Sequence, residues 1–287
     1  MDTFEYQIDE KTTVKKFLSY HGVSHRLLKK MFDQNKIRVN QRVSQNQTLK
    51  PGDQLVMTLP EQGGITPNQG ELKVVYEDKN WLVIDKPAGL TSVPGPSRPD
   101  DSVLNRVAGY LITQGKIAPQ PAIMTRLDRD TTGLVLVAKH VLAQGWLDQL
   151  GVNKQVTKRY LALAVGHLPQ QSGTFDQPLG MAEDGIHRMV RADGQQALTQ
   201  YRVLQESAHY SLVELNLVTG RTHQIRVHMA HAGHPLVGDP LYGETIPALQ
   251  HQALLAYQLT FFDPFTQATH QVELPMPAIF ETLLAAD

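Results

Sequence analysis

Arginine and carboxylate alternate in Thr125-Arg126-Leu127-Asp128-Arg129-Asp130, which runs into Thr131-Thr132-Gly133 and the apolar stretch Leu134 to Ala138. In extended backbone every second side chain points the same way. Arg126, Asp128 and Asp130 are therefore expected on one face at the mouth of a buried strand. A carboxylate taken out of water is costly unless it is paired. Held in a pocket beside a cation, it can act as a nucleophile or accept a proton. The same spacing suits a surface turn closed by a salt bridge, and the pattern alone does not separate the two.

The elements that must position this stretch are mostly strands. Val74 to Tyr76 and Trp81 to Ile84 flank a polar turn and read as a hairpin. Asp101 and Ser102 can cap a helix whose apolar positions Val103, Leu104, Val107, Tyr110 and Leu111 keep helical spacing. Gly133 to Lys139 reads as a strand and Val141 to Leu150 as a helix. Ala197 to Gln205 pairs with Tyr210 to Val218, and Ala253 to Phe262 with Gln271 to Leu274. A helix is expected over Thr222 to Ala232. Many strands with few helices predict an α+β fold with a large, mainly antiparallel mixed sheet and flanking helices.

Ahead of this body, residues 1–62 read as a small α/β module. Val14, Phe17 and Leu18 lie at helical spacing before Gly22, and Ser24 is placed to cap a second helix through Leu27, Leu28 and Met31. Two strand-and-turn segments follow, Lys36 to Val43 and Leu49 to Leu59. Residues 63–70 fall in a Gly-, Gln-, Pro- and Asn-rich tract without period and read as a linker. The body is then 71–287, and the module is expected to be removable without loss of the body's fold.

Composition narrows the chemistry. The 287 residues contain no Cys, which excludes a disulfide scaffold, a thiolate metal site, uracil methylation by a cysteine nucleophile and a cysteine-ligated zinc deaminase. The N-terminus is polar and acidic rather than a secretion signal. No apolar run approaches the roughly 18 residues of a membrane helix. A soluble, cytoplasmic monomer with no membrane association is expected. Net charge is only −1, yet Lys11 to Arg42 holds nine Lys/Arg against the single acid Asp33, a net of +8 that leaves −9 on the remainder. A basic module on an acidic body is the footprint of an RNA-gathering domain beside a catalytic one. A solvated lysine face has the same composition.

The wording of the opening stretch is more specific than its pattern. Arg126-Leu127-Asp128, with Asp130-Thr131-Thr132-Gly133-Leu134 after it, resembles the catalytic motif of the RluA-type RNA pseudouridine synthases. Three further segments resemble motifs of the same family, in its order: Lys73 to Gly95 with Asp85-Lys86-Pro87-Ala88-Gly89, Lys158 to Gly166, and Leu217 to Gly243. The resemblance implies isomerisation of specific uridines to pseudouridine in structured RNA, ribosomal RNA more than transfer RNA, with no cofactor and no metal. It makes Asp128 the catalytic carboxylate, Arg221 the cation paired with it, and Tyr160 the ring against the uracil. It leaves open whether Asp128 attacks the ribose, attacks the base or acts as a base toward the sugar. Arg126 is expected to fill the gap left by a flipped uridine, and His223 and Arg226 to contact RNA. The family's usual His before Arg-Leu-Asp is Thr125 here, and a threonine supplies no imidazole at that position.

The module has a resemblance of its own. Gly22-Val23-Ser24, Arg26, Leu27-Leu28, Lys29, Val39-Asn40 and Pro51-Gly52-Asp53 resemble the alpha-L RNA-binding module of a small-subunit ribosomal protein. Arg26, Lys29, Lys30, Arg38 and Arg42 are then the expected phosphate contacts, which position RNA without reading it. Two other readings compete with the enzyme. One is a non-catalytic RNA-binding or assembly factor that retains the fold. The other is a metal-dependent hydrolase built on His223, His228, His231 and His234, whose spacing fits one helical face only in part.

Overall fold

Side-chain caps start the first two helices, the second at Ser24 as expected and the first at Thr13, which the sequence reading did not assign. The structure, a computed structural model, describes residues 2–61 and 64–286, so the start of the expected linker at 63 lies outside the described residues. Thr13 accepts from the Lys16 N–H to open helix Val14–Tyr20, and Ser24 accepts from Leu27 N–H to open helix His25–Asp33. These helices cover an antiparallel sheet in the order Thr3–Gln7, Gln54–Thr58, Ile37–Val39, Arg42–Val43. The first of these strands went unread in the polar N-terminus. Its alternation rests on Phe4, buried on the module core, and Tyr6 beside it.

The module does not swing on a tether. Leu142, in the body's helix Val141–Leu150, is fully buried within the module's own core, and Val141 and Phe265 pack against that core. The two backbones touch at paired glycines: a Cβ on Gly145 would lie 2.2 Å from the Gly22 carbonyl oxygen. Gly22 also follows the first helix with φ +81°, a conformation that disfavours a Cβ for a second reason. The expectation that residues 1–62 can be removed harmlessly is therefore corrected, because removal would strip Leu142 and Trp146 of their cover. The linker is corrected likewise. Its second half docks on helix Val103–Thr113, where Asn68 N–H donates to the Asn105 carbonyl (3.0 Å) and Asn105 Nδ2 donates to the Thr66 carbonyl (2.8 Å). Gly109 lets that backbone in, since a Cβ there would meet Asn68 O at 2.0 Å.

The body is the expected α+β fold. Eight strands of its ten-stranded sheet run in the order Ser172–Asp176, Leu198–Glu206, Tyr210–Leu217, Val156–Val165, Leu254–Asp263, Thr132–Ala138, Trp81–Lys86, Val74–Glu77. The short Ala122–Ile123 and the strand Ala268–Glu273 pair off this path. Every pairing is antiparallel except Thr132–Ala138 beside Leu254–Asp263, which meet in parallel at Thr132↔Leu255 and Gly133↔Ala256. Gly133 is obligatory there: φ is +108° and a Cβ would lie 2.4 Å from Ala256 O. One face of the sheet (Leu82, Ile84, Val135, Val137, Tyr160, Ala162) is covered by helix Val103–Thr113 and by Ile225 and Met229 of helix Gln224–His231. The other face (Trp81, Val83, Leu134, Leu136, Phe261) lies under helix Val141–Leu150, which thus stands between sheet and module.

The sequence did not show the hairpin Leu179–Met181 with Arg188–Val190, nor the closing helix Ala278–Ala285. No helix among the described residues is long and apolar enough to cross a membrane.

Helix propensity favours alanine over glycine by about 1 kcal/mol, whereas overpacking costs about 1–3 kcal/mol. Gly145→Ala is therefore expected to lower the melting temperature despite the better helix former. A melting temperature at or above the parent's would mean that the contact between module and body yields freely.

Candidate active site

The opening motif is a loop rather than the extended segment expected, and its own hydrogen bonds bend it. Thr131 N–H donates to the Asp128 carbonyl (3.2 Å), making a turn. Ser92 Oγ donates to Leu127 O and accepts from Leu127 N–H, both at 3.0 Å. Lys158 Nζ donates to Arg126 O (3.1 Å), and Thr131 Oγ1 accepts from Gln252 Nε2 (2.9 Å). The turn separates the residues expected to share a face. Asp128 and Arg126 line a cleft of about 670 Å³. Asp130 turns away, into an ion pair with Arg129 at 2.8 Å. Burial would raise the Asp130 carboxyl, but Arg129, the Gly89 N–H and Lys86 outweigh it and hold it below its ordinary value.

Beneath this loop lies Lys86, with no exposed surface. Its ammonium donates to the carbonyls of Pro87 (2.9 Å), Leu90 (2.9 Å) and Arg129 (2.8 Å). Burial pushes it down to about 8, against the pull of Asp130, Asp128 and Asp85. One side chain thus ties the turn after the strand Trp81–Lys86 to the loop carrying Asp128. The Asp-Lys-Pro-x-Gly wording signalled this residue, but no spacing argument gave it a role.

The cation beside Asp128 is not the one expected. Arg226 Nη1 lies 3.7 Å from Asp128 Oδ2. The same guanidinium grips the fully buried Asp239 through two bonds, Nε to Oδ2 at 2.8 Å and Nη2 to Oδ1 at 2.7 Å, and its centre lies 5.1 Å from the Tyr242 ring. Burial works to discharge Arg226, but Asp239 and Asp128 more than offset it and raise its pKa. Arg221, the predicted partner, is exposed and donates from Nε to the Gln196 carbonyl (3.1 Å). Arg226, predicted to contact RNA, is buried. The exchange has a local cause. The helix starts at Gln224, two residues later than expected, so Arg226 sits in its inward-facing first turn and Arg221 in the loop before it. Buried Gln224 fixes that loop, accepting from Arg221 N–H (2.9 Å) and Thr219 Oγ1 (2.8 Å) while donating to Leu198 O (3.0 Å).

Tyr160 comes from the opposite wall. It is buried in the strand Val156–Val165, whose register against Leu254–Asp263 shifts between Arg159 and Tyr160. Such an irregularity re-aims a side chain, and here it falls at a residue lining the cleft. Lys158 Nζ stands 5.5 Å from the Tyr160 ring centre.

His223 lines the cleft in the left-handed region (φ 57°), uncommon for a residue other than glycine and frequent at working sites. Tyr242 Oη accepts from Arg188 N–H (2.8 Å) and shares a second hydrogen bond with His223 Nδ1 (2.8 Å), which ties the imidazole to the hairpin. Burial draws His223 below its usual pKa, opposed by Asp128 and helped by Arg226.

Two of the other histidines are engaged in hydrogen bonds of the fold. His228 spends Nδ1 on Thr199 Oγ1 (2.9 Å) and Nε2 on the Gln177 carbonyl (3.0 Å), and His234 Nδ1 bonds to Val165 O (3.1 Å). Asp78, Asp263 and His270 have the spacing of metal ligands, but Tyr76, Asn80, Trp81, Phe265 and Thr266 already donate to the two carboxylates. Thr125, in place of the family's His, is buried, and its Oγ1 accepts from Leu136 N–H (3.0 Å), which secures the loop to the sheet.

The chain has known counterparts. The family model for RNA pseudouridylate synthase matches residues 80–231. The uncharacterized RNA pseudouridine synthase YjbO of Bacillus subtilis is 38% identical over 281 residues, covering 96% of this chain and 99% of that protein. Ribosomal large subunit pseudouridine synthase D of Escherichia coli K12 is 36% identical over 243 residues, 79% of this chain and 74% of its own. The structure of human RNA pseudouridylate synthase domain containing 1 shares the fold, with a TM-score of 0.60 at 24% identity over 79% of this chain and 98% of that one. The chain therefore belongs to the RNA pseudouridylate synthase family, of the RluA type. Its class is that of an isomerase, an intramolecular transferase acting on uridine in RNA.

Breaking a buried ion pair by removing one partner costs about 3–5 kcal/mol, whereas an exposed substitution stays within about 0.5 kcal/mol. Arg226→Met is thus expected to lower unfolding stability in urea by about 3–5 kcal/mol, since it strands Asp239, and Arg221→Met to leave it nearly unchanged. Equal effects would undo the reassignment.

Proposed function

We propose that this enzyme isomerises uridine in a structured RNA, with large-subunit ribosomal RNA favoured over transfer RNA, and that Asp128 is its catalytic carboxylate. The observation that carries this is the linked set Asp239, Arg226 and Asp128, facing Tyr160 across one cleft. Asp239 holds Arg226 in place, and Arg226 offers its remaining edge to Asp128. A carboxylate so placed has three routes: attack on the ribose, attack on the base, or removal of a proton from the sugar. The Tyr160 ring stacks on the uracil, and its hydroxyl serves the proton at carbon five. Arg126, exposed at the rim, stacks where the flipped base had been. His223 presents its imidazole edge to the RNA.

The basic module gathers that RNA. Arg26, Lys29, Arg38 and Arg42 are exposed, Lys30 is half-buried, and none of the five makes an ion pair among the described residues. The body's arginines are mostly paired, as in Arg106 with Asp101 and Arg202 with Glu214. Ribosomal RNA is favoured because the Escherichia coli relative is named for the large ribosomal subunit and because a separate cationic module suits a large structured target.

Tritium release from RNA labelled at carbon five of uridine, in EDTA, tests the reading. The parent is expected to release tritium from large-subunit ribosomal RNA, and Asp128→Asn to do so roughly 10³-fold more slowly. Undiminished release by the variant would remove Asp128 from the chemistry. No release by the parent from ribosomal or transfer RNA would favour a fold kept for binding alone.

Replacing Arg26, Lys29, Arg38 and Arg42 together by Gln is expected to weaken binding. The slope of log affinity against log salt should become shallower by roughly 0.7–0.9 per lost phosphate contact. A slope equal to the parent's would show that the module does not carry the RNA.

A further inference from the structure

Beside the cleft runs a second groove of about 440 Å³, between the hairpin Leu179–Met181/Arg188–Val190 and the loop before helix Gln224–His231. Arg221 and Thr222 line both spaces, so the two adjoin. Three arginines border the groove: Arg188, Arg191 and Arg221. Arg191 is committed to the fold. Its guanidinium bonds Asp193 twice, at 2.5 and 2.7 Å, donates to the Met181 carbonyl (2.9 Å) and packs where Gly180 has no Cβ. Asp193, the one acid on the groove, is thereby neutralised.

Arg188 and Arg221 are uncommitted. Arg188 Nε is buried without a hydrogen-bond partner, and its guanidinium forms no ion pair among the described residues. Arg221 uses only Nε, on the Gln196 carbonyl, and leaves the rest of its fork exposed. A buried donor without an acceptor is destabilising, and a guanidinium fork matches the oxygens of a phosphate. The hairpin holding Arg188 is fixed to the cleft at two points. Tyr242 joins Arg188 N–H to His223, and Val190 packs on the cluster of Leu179, Ala197 and Val227.

We propose that this groove is a phosphate subsite of the RNA strand. Arg188 and Arg221 there hold the phosphodiester next to the uridine in the cleft, while the hairpin acts as a fixed rail for the backbone. This rests on the functional reading above. Arg221, freed from the role expected beside Asp128, steers the strand from groove to cleft.

Filter binding of in vitro transcribed large-subunit ribosomal RNA to the full-length chain carrying Asp128→Asn tests the subsite. Adding Arg188→Gln, or Arg221→Gln, is expected to weaken binding roughly tenfold. Each should make the salt slope shallower by about 0.7–0.9, and the two together by roughly twice that. Arg191→Gln should leave the slope as it was. Should Arg188→Gln fold poorly, Arg188→Lys keeps the charge and loses the fork, so the slope should hold while affinity falls. A parent slope in both Arg188→Gln and Arg221→Gln overturns the subsite. If the Asp128 parent releases tritium all the same, the functional reading stands without it. If that parent releases none and the chain binds no RNA, both fall together.

Discussion

One guanidinium holds this site together. Arg226 has two carboxylates within reach, and it divides itself unequally between them: two short bonds to Asp239 and a single longer approach to Asp128. The inequality matters. Asp239 has no exposed surface and also accepts from the Leu241 and Tyr242 N–H groups, so it is an anchor with fixed surroundings. Asp128 keeps contact with the cleft. A cation with Asp128 as its only partner would be drawn into a tight pair and would block it. With Asp239 as the primary partner, Arg226 supplies positive potential to Asp128 and leaves its oxygens available. Desolvation makes a buried charge costly, and here three charged groups offset one another's cost at the point where substrate must enter.

The loop opposite is built by a different economy, with backbone carbonyls in place of countercharges. Lys86 donates to carbonyls from two segments, and Ser92 takes both the N–H and C=O of Leu127. Gly133 then lets the strand after the loop run parallel to Leu254–Asp263, the only parallel strand pairing in the sheet among the described residues. Asp128 is thus positioned by its main chain, while its side chain is left to Arg226. Separating the two tasks leaves the carboxylate free to change partners without releasing the loop.

Much of this was legible in the residues. The caps at Ser24 and Ser102, the strand pairs about Asp263-Pro264 and Glu206-Ser207, and the cleft shared by Asp128 and Tyr160 all follow from periodicity or from quoted motifs. The assignment of Arg221 and Arg226 was not legible, because two arginines five apart differ only by where a helix begins. That start depends on His223 taking a left-handed conformation and on Gln224 reaching back to Arg221, neither of which has a period. Module docking was hidden for a similar reason. Gly22 reads as a helix terminator and Gly145 as a weak helix residue, and only their contact shows why both lack a Cβ. Asp239 was hidden because its partner lies 13 residues earlier, across a turn.

The charge distribution follows from the same division of labour. The body, residues 71–287, carries −4, a net charge that by itself should repel a polyanion. Several of its acids are nonetheless neutralised locally, in pairs such as Lys139 with Glu77 and Arg129 with Asp130. Among its cations, Arg126, Lys158, Arg188 and Arg221 make no ion pair among the described residues, and all four line the cleft or the groove beside it. Pairs cancel over short distances, and salt screens what is left beyond about 10 Å. A polyanion near the body therefore meets a positive rim at the cleft, although the sum over the body is negative. The module, docked on helix Val141–Leu150 rather than tethered, adds its own cations at a fixed offset from that rim. Two cationic surfaces at a fixed offset are met together only by a polyanion whose phosphates reach both.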